Sequence, residues 1–444
     1  MFDVTTALAL IVGLLILVAL GVHIAIALGM TSALGIYFVT GDVQVVATML
    51  GSTAYEALRD YVFAVIPLFM LMGEFIGRSG AVTDVYRGIN RGLRRLPGRL
   101  GIATVLGNAL FSFVTGVSIA SAAAFSRIAY PEMSRFGYHK GFALGTVAGS
   151  SCLGMLIPPS VLMIVWGILT EKSIGQIFLA GVLPGLMLTV LFVAYIFLTA
   201  LVRPQVVGRG TESQARRSAE DEVSLAAFLT SICGILAVIL AVLGGIWFGV
   251  FTPTEGAGAG AFIGLVLAIV KGMRYRDIIA SILAVGRTSA PILLLLVAAS
   301  LYSRTLAMTG ITNAIQGLFL DTGLAPFLII AVMVVVWFLL GMVIDSISIM
   351  LLTVPIFAPI AEQLGYDPIA FAIIGILAIE AGLLTPPFGL LVYTVKAAVQ
   401  DEDGGVSIVE IFRSSMPYWV IILVAMSLII AFPGIATLLP GLVF

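Results

Sequence analysis

Four short stretches place glycine with hydroxyl or carboxylate side chains inside long apolar runs. They are 116–121 (GVSIAS), 149–159 (GSSCLGMLIPP), 341–346 (GMVIDS) and 382–387 (GLLTPP). Where a helix is interrupted inside hydrocarbon, its freed N–H and C=O groups need partners. Freed carbonyls and hydroxyls can coordinate Na⁺, and helix N-termini can hold a carboxylate. Each stretch alone could be a kink packed by small residues, but the recurrence of all four favours a binding role.

Four acidic residues also lie within apolar segments, where ionisable groups are costly and usually functional or paired. Asp345 falls in one of the interruptions, which favours a cation-linked or structural role. Glu380 precedes Thr385 by five positions, and a functional role and a buried hydrogen-bonding role both stay open. Glu255 follows Thr252-Pro-Thr and suits a structural cap at a helix start. Glu74 is expected near a protein interface.

Motifs for other chemistry do not occur in the sequence. There is no Gly-Lys-Ser/Thr phosphate loop, nucleophile elbow, His-Glu-x-x-His helix or cysteine cluster. Cys152 and Cys233 are the only cysteines, and both lie in apolar segments, so no disulfide framework is expected. Gradient coupling is therefore the default energy source, rather than ATP hydrolysis.

The composition predicts an all-α polytopic membrane protein. Of the 444 residues, 61% are hydrophobic and only 10% are charged, against roughly a quarter charged in soluble domains. The apolar runs are close to the ~20 residues that cross a bilayer as a helix. The net charge of −1 offers no general attraction for nucleic acid. The first run lacks a basic leader, so we expect a retained helix and not a cleaved signal.

The apolar runs divide around one polar linker at 203–223. We predict spans at 5–25, 26–41, 62–79, 140–169 and 177–202, and, after the linker, at 225–247, 254–270, 289–305, 368–398 and 417–438. The interrupted segments 100–131 and 325–359 are predicted to be re-entrant hairpins. With this arrangement, all but Arg59, Lys172 and Arg304 of the 22 Lys and Arg residues fall on one side. The positive-inside rule makes that side cytoplasmic and both termini periplasmic.

The two parts of the chain repeat each other. Pro131, Gly137-Tyr138 and Pro158-Pro159 recur 228 positions later as Pro359, Gly365-Tyr366 and Pro386-Pro387. Each part holds five predicted spans and one hairpin, and an odd number of spans inverts the second part. We therefore predict inverted repeats at 1–202 and 224–444, joined by the cytoplasmic linker. The basic segment 82–99 is expected to lie at the membrane surface as an arm, a topology signal or both.

Several motifs resemble the large, DctM-type membrane subunit of tripartite ATP-independent periplasmic (TRAP) transporters. They are GVSIASAAAFSRIAYPEMSRFGY, LIPPSVLMIVWG, FTPTEGAGAGA, GMVIDSISIMLLTVPIFAPIAEQLGYDP and GLLTPPFGLLVYTVKAA, in that order. The resemblance covers nearly the whole chain. It implies Na⁺-driven import of a small organic acid (a carboxylate), delivered by a periplasmic substrate-binding protein. It also implies the bacterial inner membrane, a small four-helix membrane partner and an elevator-type fold like that of the ion transporter superfamily.

The resemblance also implies site residues. The candidate sodium-binding residues are Gly116, Ser118, Ser121, Gly149, Gly154, Pro158, Gly341, Asp345, Ser346, Gly382 and Thr385. The candidate substrate-binding residues are Ser118, Ser121, Ser346, Thr385 and Pro386. Val117, Ile119 and Leu391 depart from the family pattern, which affects the lining of these sites. Because the likeness starts at the beginning of the sequence, the small subunit is expected to be a separate polypeptide.

Two alternatives remain at this stage. The first is a self-sufficient Na⁺/carboxylate symporter of the same architecture, which would need no binding protein. The second is a membrane enzyme or a passive channel. The missing catalytic motifs disfavour the enzyme, and the hairpin pair disfavours an open pore.

Overall fold

The computed structural model describes residues 4–208, 224–310, 317, 323–399 and 405–444, and these residues form helices and no strands. The predicted linker 203–223 lies mostly outside the described residues; a short 3₁₀ turn covers Pro204–Val207. The helices before it are α1 (Val4–Ala19), α2 (Ile24–Thr40), α3 (Val43–Arg59), α4 (Val65–Arg78), α5 (Ala81–Gly92), α6 (Arg99–Thr115), α7 (Ser118–Arg135), α8 (Lys140–Ser151), α9 (Leu153–Leu156), α10 (Val161–Thr170) and α11 (Ile174–Val202).

The helices after the linker follow a similar order. They are α12 (Leu225–Ile239, continued through a π turn to Trp247), α13 (Pro253–Val270), α14 (Tyr275–Thr309), α15 (Pro326–Gly341), α16 (Ser346–Gln363), α17 (Pro368–Gly382), α18 (Leu390–Ala398), α19 (Ile408–Ala431) and α20 (Gly434–Val443). In both parts a helix pair (α6–α7 or α15–α16) is followed by one helix (α8 or α17) and then by an interruption. A short helix (α10 or α18) and a long helix (α11 or α19) come next.

The all-α polytopic membrane fold is confirmed: among the described residues, eight helices are long and apolar enough to cross a membrane. The predicted spans 140–169 and 368–398 are each a helix, an irregular break and a second helix. Helix α14 is 35 residues long, well beyond the predicted 289–305. Helix α3 was not predicted, because polar and small residues are interspersed along it.

Local capping signals set several of these helix starts. Asp367 accepts from the backbone N–H groups of Ile369 and Ala370, both at 2.9 Å, just before Pro368 at the first position of α17. At α13, Glu255 Oε2 accepts from the Thr252 N–H at 2.8 Å, and the Thr252 hydroxyl accepts from the Glu255 N–H at 3.3 Å. This is a capping box, the structural role that the sequence suggests for Glu255.

The helices pack into two sets, and each set combines both parts of the chain. We call α1–α5 with α12–α14 the framework set; within it α4 packs on α13, α2 on α14 and α5 on α12. We call α6–α11 with α15–α20 the hairpin set; within it α8 packs on α19, α10 on α16 and α7 on α18. Contacts between the sets run mainly through α4 and α5 on α6, and through α14 on α16.

Small residues allow close packing of α4 against α13 in the framework set. A Cβ on Gly260 of α13 would lie 2.5 Å from Met72 Sδ of α4, and one on Gly264 would lie 3.3 Å from the Met72 carbonyl oxygen. Close approach through small residues is a usual way to join helices in a membrane, where apolar burial gives little drive. Glycines of α13 therefore allow α4 to approach this helix closely.

Candidate functional site

The first hairpin turns at Gly116, between α6 and α7. Gly116 has a left-handed φ of 61°, and its N–H donates to the Ser112 carbonyl at 3.2 Å. A Cβ at this position would lie 2.4 Å from the Pro159 carbonyl oxygen. The Val161 N–H donates to the Gly116 carbonyl at 3.1 Å. Glycine is thus required both by the backbone conformation and by contact with the break between α9 and α10.

The rest of this hairpin tip is closed by the same break. A Cβ on Gly154 would lie 2.8 Å from Ser118 Cα. The Ser160 hydroxyl donates to the Met155 carbonyl at 2.6 Å and so holds the loop after the prolines against α9. Residues 151–160, including Pro158, are all buried. The first hairpin tip and the first break therefore form one sealed unit.

Glu380 connects this sealed unit to the second part of the chain. It lies in the last turn of α17, is only 1% exposed, and its Oε2 accepts from the Ser118 hydroxyl at 2.6 Å. Its other oxygen, Oε1, is buried and has no hydrogen-bond partner. The Ser121 hydroxyl, one turn along α7, is likewise buried without a partner. Two residues connected to Ser118, one by a hydrogen bond and one by a helix turn, thus each have a buried oxygen without a partner.

Cys152 is a site residue that the sequence reasoning missed. Its thiol lies 3.9 Å from the Glu380 carbonyl oxygen. The two positions are separated by 228 residues, which is the repeat offset. Every residue of one part has a counterpart at this offset, so the offset alone does not identify which counterparts touch, and this contact is visible only in the structure.

The second hairpin turns between α15 and α16, where Asp345 is the N-cap. Its Oδ1 accepts from the N–H groups of Ile347 and Ser348, both at 3.1 Å, and its Oδ2 accepts from the Ser348 hydroxyl. Ser346 begins the helix and is buried. The carboxylate of Asp345 is therefore used for local capping.

The tip of the second hairpin lies against the end of α17. A Cβ on Gly341 would lie 2.7 Å from Gly382 Cα. Thr385 is half-buried and donates from its hydroxyl to the Ala381 carbonyl at 2.8 Å. Beyond it Pro386, Pro387 and Phe388 are exposed. The last turn of α17 thus contacts both hairpins, Ser118 through Glu380 and Gly341 through Gly382.

The structure brings most of the predicted site residues together, with two exceptions. Gly149 lies in α8, before the first break; a Cβ there would be 2.2 Å from the Tyr418 ring, so Gly149 packs α8 against α19. Glu255 caps α13 in the framework set. The remaining residues line the two hairpin tips and their breaks: Gly116, Ser118, Ser121, Gly154, Pro158, Gly341, Asp345, Ser346, Glu380, Gly382, Thr385 and Pro386.

This arrangement suits a small cation. Interrupted helices supply carbonyl oxygens and negative helix C-terminal ends, which coordinate Na⁺ in transporters built from broken helices. Four helices end at the two hairpins and breaks: α6, α9, α15 and α17. The Ser121 hydroxyl and Glu380 Oε1 are two further buried oxygens that have no hydrogen-bond partner.

The family is decided by comparison with known proteins. Residues 11–435 match the family model described as "Tripartite ATP-independent periplasmic transporter, DctM component". This chain is a member of the DctM family. The resemblance seen in the motifs is confirmed, and a transport component is established in place of an enzyme.

Three relatives show the breadth of this family. The chain is 32% identical to the C4-dicarboxylate TRAP transporter large permease protein DctM of Pseudomonas aeruginosa, over 87% of this chain and 88% of that protein. It is 28% identical to the ectoine TRAP transporter large permease protein TeaC of Halomonas elongata, over 99% of each. It is 27% identical to the sialic acid TRAP transporter large permease protein SiaM of Vibrio cholerae, over 87% of each.

Two solved transporters share the fold of this DctM-family chain. The Alcanivorax borkumensis YdaH transporter superposes with a TM-score of 0.61 at 15% identity, over 89% of this chain and 90% of that one. Neisseria gonorrhoeae MtrF superposes with a TM-score of 0.56 at 14% identity, over 90% and 84%. At such identities the likeness concerns the architecture alone.

Proposed function

We propose that this DctM-family chain is the membrane core of a Na⁺-coupled importer of a small organic acid in the bacterial inner membrane. The observation that carries the proposal is the convergence of both hairpin tips on the two helix breaks, with two buried oxygens left unpartnered. Such atoms are costly in a dry interior unless a ligand satisfies them. A cation supplied by a gradient is the simplest ligand for this chemistry.

The residues divide into two ion regions under this proposal. The first region consists of Gly116, Ser118, Ser121 and Gly154, at the sealed hairpin tip. The second consists of Gly341, Ser346, Gly382 and Thr385, and its exposed neighbour Pro386 opens toward the surface. A substrate carboxylate would bind at the open side, near the N-termini of α16 and α18, where helix dipoles favour negative charge.

The relatives support the substrate class only in outline. Their names refer to C4-dicarboxylates, ectoine and sialic acid, and each of these compounds carries a carboxylate group. A shared carboxylate fits a site built from helix N-termini and hydroxyls. The remaining part of the substrate would be selected by other groups, including those of a binding protein.

During transport, the hairpin set would move relative to the framework set. The hairpin set carries the proposed sites, and it meets the framework set through fewer elements than it uses internally. An elevator motion would carry the hairpin set across the bilayer, with inverted repeats giving equivalent outward and inward states. Both termini would face the periplasm, as the distribution of Lys and Arg predicts.

Partners complete the proposed transporter. The family description calls the transporter tripartite and periplasmic, so we infer a small membrane subunit beside the framework set and a periplasmic substrate-binding protein on the outer face. ATP would not be consumed, because the Na⁺ gradient drives release inward.

Reconstitution in liposomes tests the proposal. The chain and its small partner, under an inward Na⁺ gradient, should take up a carboxylate substrate strongly when the binding protein is added outside. Uptake should fall to background without the binding protein or when K⁺ replaces Na⁺. Full-rate, Na⁺-driven uptake without the binding protein would instead support a self-sufficient symporter. Uptake indifferent to Na⁺ would remove the proposed coupling.

A further inference from the structure

Glu380 is the one charged residue that is fully buried among the residues that the structure describes. It lies in the last turn of α17 and contacts Ser118 at the first hairpin tip. Its described hydrogen bonds are the one from the Ser118 hydroxyl and, through its backbone carbonyl, a weak one from the Cys152 thiol. The side chain itself therefore has one neutral donor.

No basic side chain pairs with Glu380 in the described part of the chain. Lys172 pairs with Glu362, Lys271 with Asp84 and Arg304 with Glu56, all at other places. A buried carboxylate with a single neutral donor is strongly unfavourable, because desolvation costs several kcal/mol even after relaxation, by order of magnitude. Glu380 must therefore be neutralised by a proton or by a bound cation.

Protonation of Glu380 would not explain why two nearby buried oxygens have no hydrogen-bond partner. A neutral carboxyl would hydrogen-bond to Ser118 through one oxygen and still leave Oε1 without a partner, and the Ser121 hydroxyl would stay unpartnered as well. A small cation would give the Glu380 oxygen a partner, and the Ser121 hydroxyl is a candidate second ligand, since carboxylate and hydroxyl oxygens are cation ligands. Ser118 and Ser121 lie three positions apart on α7, so their side chains project from one helix face.

The backbone of the first hairpin tip and that of the first break pack directly against each other beside Glu380. Gly116 and Gly154 allow the hairpin tip and the break to touch without any side chain between them. Glu380 itself lies at the C-terminal end of α17, where the helix dipole is negative and a cation is favoured. The free oxygen thus belongs to a residue at an electronegative helix end, beside a hairpin tip in close contact with the break.

We propose that Glu380 Oε1, supplied by the second repeat, is a direct ligand of the cation bound at the first hairpin, together with the Ser121 hydroxyl. This inference rests on the proposed Na⁺ coupling and deepens it. The first ion region is then built from both repeats and carries a full negative charge. The second region differs, because both oxygens of Asp345 are occupied by capping hydrogen bonds.

Na⁺-dependent thermal stabilisation of the purified chain with its small partner tests the ligand role without measuring transport. A ligand that binds only the folded state raises the melting temperature according to its concentration relative to Kd. Wild-type protein should be stabilised by NaCl more than by KCl or choline chloride. Glu380→Gln, which matches the neutral acid in shape, should raise the Na⁺ concentration for half-maximal stabilisation at least about tenfold, as expected when a buried charge loses its partner.

Glu74→Gln is the matched control, because Glu74 is an acid within an apolar segment but pairs with Arg78 and is partly exposed. Its Na⁺ titration should match that of the wild type. If Glu380→Gln also titrates like the wild type, Glu380 is a protonated hydrogen-bonding residue and the inference is overturned, while Na⁺ coupling stands. If the wild type itself shows no Na⁺-specific stabilisation, the proposed coupling fails.

A second variant keeps the test decisive if Glu380→Gln does not fold. Glu380→Asp retains the charge but withdraws the oxygens by one methylene group. A direct ligand should then bind Na⁺ several-fold more weakly, by the sensitivity of ion sites to ligand position. Unchanged Na⁺ affinity in Glu380→Asp would contradict the proposal.

Discussion

The first break is sealed and the second is open, although the two occupy equivalent places in the chain. Pro158 and Pro159 are buried, whereas Pro386 and Pro387 are exposed. Both breaks lie against a hairpin tip through glycine, Gly154 against Ser118 and Gly382 against Gly341. The same backbone plan therefore gives an enclosed region in one repeat and an accessible region in the other.

One pair of equivalent residues differs in the same way as the two breaks. Ser160 and Phe388 are 228 positions apart. The Ser160 hydroxyl bonds back to the Met155 carbonyl and draws its loop inward. Phe388 cannot make such a bond, and its side chain is 59% exposed. Under the proposed function, the sealed break would hold the ion and the open break would admit the substrate.

The largest effect is expected from adding a methyl group at the sealed hairpin tip. Gly116→Ala would place a Cβ 2.4 Å from the Pro159 carbonyl oxygen at a φ of 61°. Gly137→Ala is the control, since Gly137 has a φ of 75° but no atom within 4 Å of the added Cβ. Gly137→Ala should cost about 1–2 kcal/mol, the left-handed penalty alone. Gly116→Ala should cost clearly more and abolish uptake, as measured by thermal unfolding and liposome transport. Equal melting temperatures would show that the tip is not tightly sealed.

Cysteine labelling measures the open and sealed states directly. In a background where Cys152 and Cys233 are replaced by Ala, Phe388→Cys should react readily with a small water-soluble maleimide. Ser160→Cys should react at least about a hundredfold more slowly, because a buried site reacts only after opening. Similar rates at the two positions would remove the distinction between the breaks. Carboxylate substrate should protect position 388 if it binds at the open side.

Most helices and both hairpin turns could be predicted from the sequence, but the tertiary contacts between them could not. Interruptions at 116–121 and 341–346 were visible as glycine with polar residues inside apolar runs, and helix pairs do turn there. Apolar length and capping residues are local properties, so they can be found without knowledge of the fold. The unpredicted α3 has mixed polarity, and composition gave little signal for it.

Contacts between residues far apart in the chain could not be predicted from the sequence, for a physical reason. Ser118 and Glu380 are 262 positions apart, and spacing cannot show which hydroxyl meets which carboxylate. The sequence left Glu380 undecided and favoured Asp345 for a cation-linked or structural role. Asp345 proves to cap its own helix, a local role that its position before Ser346 could have suggested. The buried acid with a free oxygen could be identified only from the three-dimensional packing.

Removing single hydroxyls from the two ion regions should give intermediate effects. Ser121→Ala deletes a buried hydroxyl that has no protein partner, so stability without Na⁺ should be unchanged or slightly higher. Its half-maximal Na⁺ concentration for uptake should rise several-fold, since a ligand is lost. Ser346→Ala should also raise it, by a smaller factor, if the more accessible region is partly hydrated. Unchanged Na⁺ dependence in both variants would assign the two serines to packing.

The smallest effect is expected at Asp345. Although this residue is charged, its carboxylate caps a helix, so removing the charge should change the Na⁺ dependence little. Asparagine caps helices about as well as aspartate, so Asp345→Asn should keep the bonds to the Ile347 and Ser348 N–H groups. Its melting temperature and half-maximal Na⁺ concentration should stay close to those of the wild type. Asp345→Ala removes the cap and should cost about 1 kcal/mol of stability.

The decisive comparison sets Asp345→Asn beside Glu380→Gln, since each removes one negative charge and nearly preserves shape. A large Na⁺ shift at Glu380 and almost none at Asp345 would mean that charge compensation belongs to the sealed region alone. Equal shifts would mean that both regions use a carboxylate in the same way, despite the capping bonds of Asp345. In that case the difference between the repeats would be limited to the accessibility of the breaks, since both would compensate the bound charge alike.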